Sequence, residues 1–337
     1  MAALEIDGSF GEGGGQILRT SLALSLLTQK PFRIHNLRRG RAKPGLRRQH
    51  LTALRAAARI GNAQVEGDAV GSTKVAFVPA AMEGGNYEFD IGTAGSTSLV
   101  FQTVLPALMQ CSKPSAVTFI GGTHNRGGPP WDFIETVFLP VLTRMGAAVN
   151  TKFERYGFVP AGGGRWAAEI RPSRLRPVNL HERAELRERS VRAIVSNLPA
   201  AIAERELSVV RQGLTWPDSA YQAETVESAG PGNVVMISGS FRLASELATG
   251  FGQRGVPAER VAEGALESWR NYDRAGVPVG EHLADQLLLP MAIAGGGSML
   301  TTKPTLHTTT NAEVISMFLP IRFRMSPRND QTWEISC

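Results

Sequence analysis

Cysteine is nearly absent: the 337-residue chain has two, Cys111 and Cys337. Two thiols cannot build a disulfide framework or a CxxC zinc site. Cys111 lies in an apolar stretch and reads as a small buried residue; Cys337 is terminal. A reducing, cytoplasmic setting is therefore expected. No apolar run reaches the roughly 18–20 residues that cross a bilayer, so no membrane span is expected. The opening residues MAALEIDGSF have neither a basic nor an apolar region and are not expected to act as a signal peptide. No Gly-Lys-Ser/Thr follows the glycine-rich segment GEGGGQ (11–16), which excludes a Walker A loop, and it is not a GxGxxG after a buried strand.

What is present is an ordinary globular composition, with 42% hydrophobic and 20% charged residues. The length suits a large domain plus a smaller one. The net charge of +6 is concentrated. Arg33, Arg38, Arg39, Arg41, Lys43, Arg47 and Arg48 fall in one short stretch, which is either a solvated face or the seat of an anionic partner.

An internal repeat organises the chain. Residues 16–34 (QILRTSLALSLLTQKPFRI) and 97–119 (TSLVFQTVLPALMQCSKPSAVTF) each run from a helical pattern through Lys-Pro into a β-prone segment. Each follows a glycine-bearing turn, 11–15 and 92–96. In each unit a second segment follows, at 51–67 and 138–154, with helical spacing, then Gly, then a strand-like run. A third, interrupted copy has LADQLLLPMAIAGGG (283–297) and NAEVISMFLPIRF (311–323). Between about Arg183 and Val279 the repeat is missing. A helix around 184–204, a strand at 233–241 and a helix at 258–275 are expected there. The fold class expected is α+β: a large domain (1–182 plus 280–337) of three βαβαββ-type units, with a smaller α/β domain (183–279) inserted in the third.

Four segments can carry chemistry. GEGGGQ opens a helix, where backbone N–H groups and the helix N-terminus favour an anion, although a structural turn also explains it. Glu12 in such a loop would repel phosphate unless a divalent cation lay between them. RRGRAKPGLRRQH (38–50) is rich in arginine, whose planar fork suits phosphate, and it also reads as a solubilising loop. GGTHNRGGPPWDF (121–133) joins a strand to a helix and offers His124, Asn125 and Arg126 to a nucleotide; a turn explains it equally. His124 has no acidic neighbour apparent in its loop. KPTLHTTTNAEVISMF (303–318) places His307 in a Thr-rich loop before a helix, with Thr310 or Asn311 as cap. The adjoining helix end favours a neutral imidazole.

In this order the segments IDGSFGEGGGQILRTSLALS, RRGRAKPGLRRQH, GTAGSTSLVFQTVLP, GGTHNRGGPPWDF, HLADQLLLPMA and HTTTN resemble the RNA 3'-terminal phosphate cyclase family. The resemblance covers essentially the whole chain. It implies units like the C-terminal domain of translation initiation factor three, with a thioredoxin-like insert. It also implies an ATP-dependent ligase that converts an RNA 3'-phosphate to a 2',3'-cyclic phosphodiester. The implied route passes through histidine–AMP and RNA-3'-pp-5'-A intermediates.

By the same resemblance His307 matches the nucleophile and Glu12 the carboxylate for Mg²⁺ or Mn²⁺. Arg19, Arg38, Arg41, Gln49 and His50 match positions that handle phosphate and the RNA end. Gln102, Pro129, Phe251, Asp285 and Gln286 match the adenylate pocket. His282 stands where a tyrosine is frequent, offering less area to stack on adenine. ATP and RNA with a 3'-phosphate are the partners implied, and a homodimer is left open. Two rivals follow: a catalytically inactive RNA-binding branch active in ribosome biogenesis, and enolpyruvyl transferases with related repeats.

Overall fold

The computed structural model describes residues 3–337. Strand β1 (Leu4–Asp7), helix α1 (Gly15–Thr28), β2 (Phe32–His35), α2 (Arg48–Ile60), β3 (Gln64–Glu66) and β4 (Val75–Val78) come first. Their sheet has the order β1-β2-β4-β3, with β1 and β2 parallel and the other pairs antiparallel. Next come β5 (Asn86–Asp90), α3 (Thr97–Gln110), β6 (Ser115–Gly121), α4 (Trp131–Phe133), α5 (Leu139–Arg144), β7 (Ala148–Arg155) and β8 (Gly164–Arg171). The order is again first-second-fourth-third, β5-β6-β8-β7, with only the first pair parallel. A π-helical turn, Ile134–Phe138, joins α4 to α5. Pro140 lacks an N–H for the ladder, and the turn before it widens.

After the short strand β9 (Asn179–Leu180) the chain enters a different sheet. Its elements are β10 (Leu186–Ser196), α6 (Ala201–Gly213), β11 (Tyr221–Thr225), β12 (Gly232–Phe241), β13 (Ser245–Phe251) and α7 (Ala258–Ala275), in the strand order β11-β10-β12-β13. The chain then completes the sheet begun by β9 with α8 (Glu281–Ala294), β14 (Ser298–Thr301), α9 (Leu306–Phe318), β15 (Arg324–Pro327) and β16 (Trp333–Ser336). That sheet, β9-β14-β16-β15, also has first-second-fourth-third order with one parallel pair.

The helix expected around 184–204 is in fact a strand and then a helix. Leu186–Ser196 is extended and pairs with β12 over almost its whole length; α6 begins only at Ala201. The charged residues Glu182–Arg189 imitate a helix face. Val191, Ile194 and Val195 are β-branched and fully buried in the sheet, and tertiary pairing overrides the local pattern.

Two apolar cores result. One holds Trp269, Tyr272, Val191 and Leu266 between the β10–β13 sheet and helices α6 and α7. The other runs through the rest of the chain and also takes Ile194, Val234 and Leu247 from the β10–β13 sheet. Phe119 stacks on Trp166 at 4.7 Å between centroids, and Phe32 meets Phe318 of α9 edge-on at 6.2 Å. Among the described residues no helix is long and apolar enough to cross a membrane.

Candidate functional site

The first turns of α1, α2, α3, α8 and α9 line one cavity of about 840 Å³. They bring Gln16, His50, Gln102, Asp285 and His307 to its wall. Each helix N-terminus leaves backbone N–H groups unpaired within the helix and adds partial positive charge. Arg19, Arg38, Arg41 and Arg126 line the same space, so it is built for a polyanion. The approach of α1 needs glycine. A Cβ on Gly15 would come within 2.3 Å of His50 Nε2, and Gly11 has φ +55° with Thr310 Oγ1 at 2.1 Å from the added atom.

His307 is not in a loop. It is the second residue of α9, whose N-cap is Thr305; Thr305 Oγ1 accepts a hydrogen bond from Thr308 N–H at 3.3 Å. Thr310 and Asn311, the caps expected from sequence, are buried inside the helix. A run of threonines offers several equivalent caps, and burial of the later residues selects the earliest.

The His307 ring has a fixed orientation. Asn311 Nδ2 donates to the Asp285 carbonyl at 3.0 Å and to its Oδ1 at 3.3 Å, while Thr20 Oγ1 donates to Asn311 Oδ1 at 2.7 Å. Gln16 Nε2 donates to the same Asp285 oxygen at 2.6 Å. With its amide nitrogen on the carboxylate, Gln16 turns Oε1 to His307 Nδ1 at 3.0 Å. That oxygen can only accept, so Nδ1 carries the proton and Nε2 keeps a free lone pair. Desolvation lowers the imidazole below its ordinary value, and Arg19 and Arg41 push the same way against the pull of Asp285. Burial raises the Asp285 carboxyl, opposed by donation from Gln16.

Glu12 Oε1 lies 3.8 Å from His307 Nε2 and pairs with Arg41. Its Oε2 is buried without a partner. An orphaned carboxylate oxygen facing a polyanion site fits a divalent cation completed by ligand phosphates. Among the described residues no group of three acidic, His or Cys side chains could hold a metal unaided. Desolvation brings Arg19 down to about 10, so it remains a cation at neutral pH. His50 is pushed down to about 3 by burial and by Arg19, Arg38 and Arg47. Its Nδ1 accepts from Arg47 N–H at 3.1 Å, so it serves as a neutral donor through Nε2. Arg38 adopts φ +54° and folds the basic loop through bonds to the Lys43 and Gly45 carbonyls, both 2.9 Å. Gln49 is engaged with protein: its Oε1 accepts from Ser96 N–H at 2.9 Å.

Pro129, Phe251, His282 and Gln286 line the cavity's other side, where Gln102 and Gln286 hydrogen-bond to each other. Every side chain singled out by the resemblance borders this one cavity. His124 does not. It is buried, and, contrary to expectation, it has an acidic neighbour: its Nε2 meets Asp132 Oδ2 at 2.6 Å. Burial alone would raise the Asp132 carboxyl, but the His124 bond and Arg192 hold it below its ordinary value. Reasoning from sequence missed Gln16 as the partner of His307. Its signal was its place as the polar residue closing GEGGGQ, at the start of α1.

A profile of the family described as RNA 3'-terminal phosphate cyclase matches residues 10–325. A protein named RNA 3'-terminal phosphate cyclase from Ectopseudomonas mendocina is 48% identical over 329 residues, covering 97% of this chain and 96% of its own. Proteins of the same name from Pseudomonas fluorescens and Koribacter versatilis are each 47% identical, covering 99% and 95% of this chain and 97% and 91% of their own. The enolpyruvyl transferase NikO from Streptomyces tendae aligns with 99% of this chain and 48% of its own at 12% identity, but a TM-score of 0.38 carries no argument. With its residues 10–325 matched and near-half identity sustained along almost its full length, the chain belongs to the RNA 3'-terminal phosphate cyclase family.

Proposed function

We propose that this protein is an ATP-dependent RNA 3'-terminal phosphate cyclase in which His307 Nε2 carries AMP. The observation that carries this reading is the Asp285–Gln16–His307 chain, which leaves Nε2 unprotonated and facing a cationic cavity. In the first step Nε2 attacks the α-phosphorus of ATP, a P–N bond forms, and pyrophosphate leaves with the electrons of the broken P–O bond. The Nδ1–H stays bonded to Gln16, which fixes the ring as positive charge develops. In the second step an oxygen of the RNA 3'-phosphate attacks the same phosphorus and displaces the imidazole, giving RNA-3'-pp-5'-A. In the third step the vicinal 2'-hydroxyl loses its proton and attacks the activated 3'-phosphate, and AMP departs. Only RNA supplies that hydroxyl.

Glu12 would hold Mg²⁺ or Mn²⁺, and its partnerless Oε2 supports this. Such an ion, when bound, neutralises phosphate charge and polarises the phosphoryl oxygens. Arg41, paired with Glu12 and half exposed, is free to turn to the RNA end beside Arg38. Arg19 and the neutral His50 donate to phosphate. Pro129, with Phe251 and His282, would flank adenine, and Gln102, Asp285 and Gln286 would face its ribose and base. We also read the three sheets of like order as copies of one unit, with residues 183–279 as an inserted small domain in a cytoplasmic enzyme. Free cysteines and the substrates ATP and RNA support the compartment. An inactive RNA-binding role would leave the oriented Nε2 without use.

The test is incubation of the protein with ATP, a divalent cation and an RNA bearing a 3'-phosphate. Formation of a phosphatase-resistant 2',3'-cyclic end is expected. ATP-independent closure, or none under any divalent cation, would contradict the reading.

A further inference from the structure

The loop from Thr123 to Asp132 presents Arg126, Gly127, Gly128 and Pro129 to the cavity. Its tip is tied by Asn125, whose Nδ2 donates to the Ala94 carbonyl at 2.8 Å and whose Oδ1 accepts from Gly127 N–H at 3.2 Å, and at its base Trp131 N–H donates to the Thr123 carbonyl at 3.0 Å. There His124 and Asp132, eight residues apart, close the loop through the 2.6 Å contact between Nε2 and Oδ2. The His124 Nδ1 is held by Thr123 Oγ1 at 2.8 Å, and that hydroxyl oxygen accepts from Gly157 N–H at 2.9 Å. The second Asp132 oxygen accepts from Arg192 Nη1 at 2.6 Å. Arg192 stands on β10, in the β10–β13 sheet. It is gripped there by Glu224 of β11, through Nε at 2.6 Å and Nη2 at 3.0 Å, and Nη2 also donates to Tyr156 Oη at 3.2 Å.

An ion-paired chain with this much burial is not a surface bridge; the His124 side chain is 0% and that of Asp132 11% exposed. Through it a charged group of the β10–β13 sheet reaches the root of a cavity loop. Bidentate pairing of Arg192 with Glu224 fixes the guanidinium plane, and Nη1 is directed at Asp132. We infer that Arg192 is the pin by which the 183–279 segment holds the Gly127–Pro129 wall in the shape that receives the nucleotide. His124, Asp132 and Arg192 are then positioning residues, and the β10–β13 sheet contributes to nucleotide affinity through them. The inference rests on the reading of the cavity as the ATP site.

Calorimetric titration with Mg²⁺ and α,β-methylene-ATP, which cannot release pyrophosphate and so reports binding alone, tests it, using the intact chain and its Arg192→Ala, Arg192→Lys and Glu224→Gln variants. If the wall is held in shape about a tenth of the time without the pin, apparent Kd rises about tenfold in Arg192→Ala. Glu224→Gln, which loosens the guanidinium but leaves it in place, should shift Kd less, by about threefold. Millimolar guanidinium should restore binding to Arg192→Ala, which a merely misfolded protein would not allow. The rate of AMP transfer at saturating ATP should stay near that of the unaltered chain, so the change lies in KM and not in kcat. Equal affinity for the analogue in all four proteins, or a loss in Arg192→Ala that guanidinium does not touch, overturns the inference. If Arg192→Ala does not fold, Arg192→Lys and Glu224→Gln decide by the same comparison of Kd. An unaltered chain that does not bind the analogue would instead overturn the ATP-site reading itself.

Discussion

Two histidines in this molecule stand in similar polar chains and are suited to different work. His124, in the loop after β6, is sealed from solvent and has both ring nitrogens engaged, one by Thr123 and one by Asp132. His307, in the first turn of α9, has one nitrogen held by Gln16 and the other open to the cavity. A carboxylate stands behind each, but Asp132 bonds His124 directly, whereas Asp285 reaches His307 only through an amide. A carboxylate bonded directly to the ring occupies the nitrogen it meets; an interposed amide fixes the tautomer and leaves the second nitrogen free. The difference teaches that a nucleophilic histidine is marked by an unpaired nitrogen with a defined tautomer, and not by proximity to an acid.

The largest effect that can break this comparison is the loss of His307. His307→Ala should form no enzyme–AMP and close no RNA 3'-phosphate, yet should still close an RNA end supplied already adenylated. Residual AMP transfer in that variant would remove His307 from the chemistry. Gln16→Leu is next. Without the acceptor, Nδ1–H is no longer enforced, and enzyme–AMP formation should slow on the order of 10²-fold with the fold retained. A rate within about twofold of the unaltered chain would show that the amide sets no tautomer.

A third histidine sharpens the contrast through pH. His50 titrates near 3 when folded against an ordinary value of 6.5. Between those values the unfolded chain binds more protons, so stability is full above pH 6.5 and is lost as pH falls toward 3. The loss should be roughly 2–4 kcal/mol once discounted for relaxation of the site. His50→Gln should flatten the urea midpoint against pH in that window, and an unchanged slope would refute the assignment. Smallest is His124→Gln. It should cost about 1 kcal/mol of stability through the lost Thr123 contact, since the amide N–H can still donate to Asp132, with saturating AMP transfer unchanged. A collapse of that rate would place His124 in the chemistry.

Much of this is legible in the sequence where local chemistry decides. The 3.6-residue spacing of QILRTSLALSLL gives α1, the β-prone FRIH gives β2, and Gly11–Gly15 mark a turn with close backbone approach. Glu12, the arginines of the basic loop and His307 stand out because each lies in a glycine-, arginine- or threonine-rich segment, whereas Gln102, Asp285 and Gln286 lie in ordinary helical runs and are named only through the family resemblance. Their convergence on one cavity is a product of topology: Gln16 and His307 are 291 positions apart. Pairing across such distances cannot be read from spacing. The same reason hid β10, whose charged first half resembles a helix until its ladder with β12 is formed. It also hid Asp132 behind His124, because their contact needs the loop to double back over two glycines and two prolines.

The most direct test of the oriented-histidine account is to trap the protein after ATP addition and map the adduct. One acid-labile AMP is expected on His307, with the phosphorus coupled to Nε2 in the NMR spectrum of ¹⁵N-histidine-labelled protein. An adduct on another residue, or phosphorus coupled to Nδ1, would contradict it.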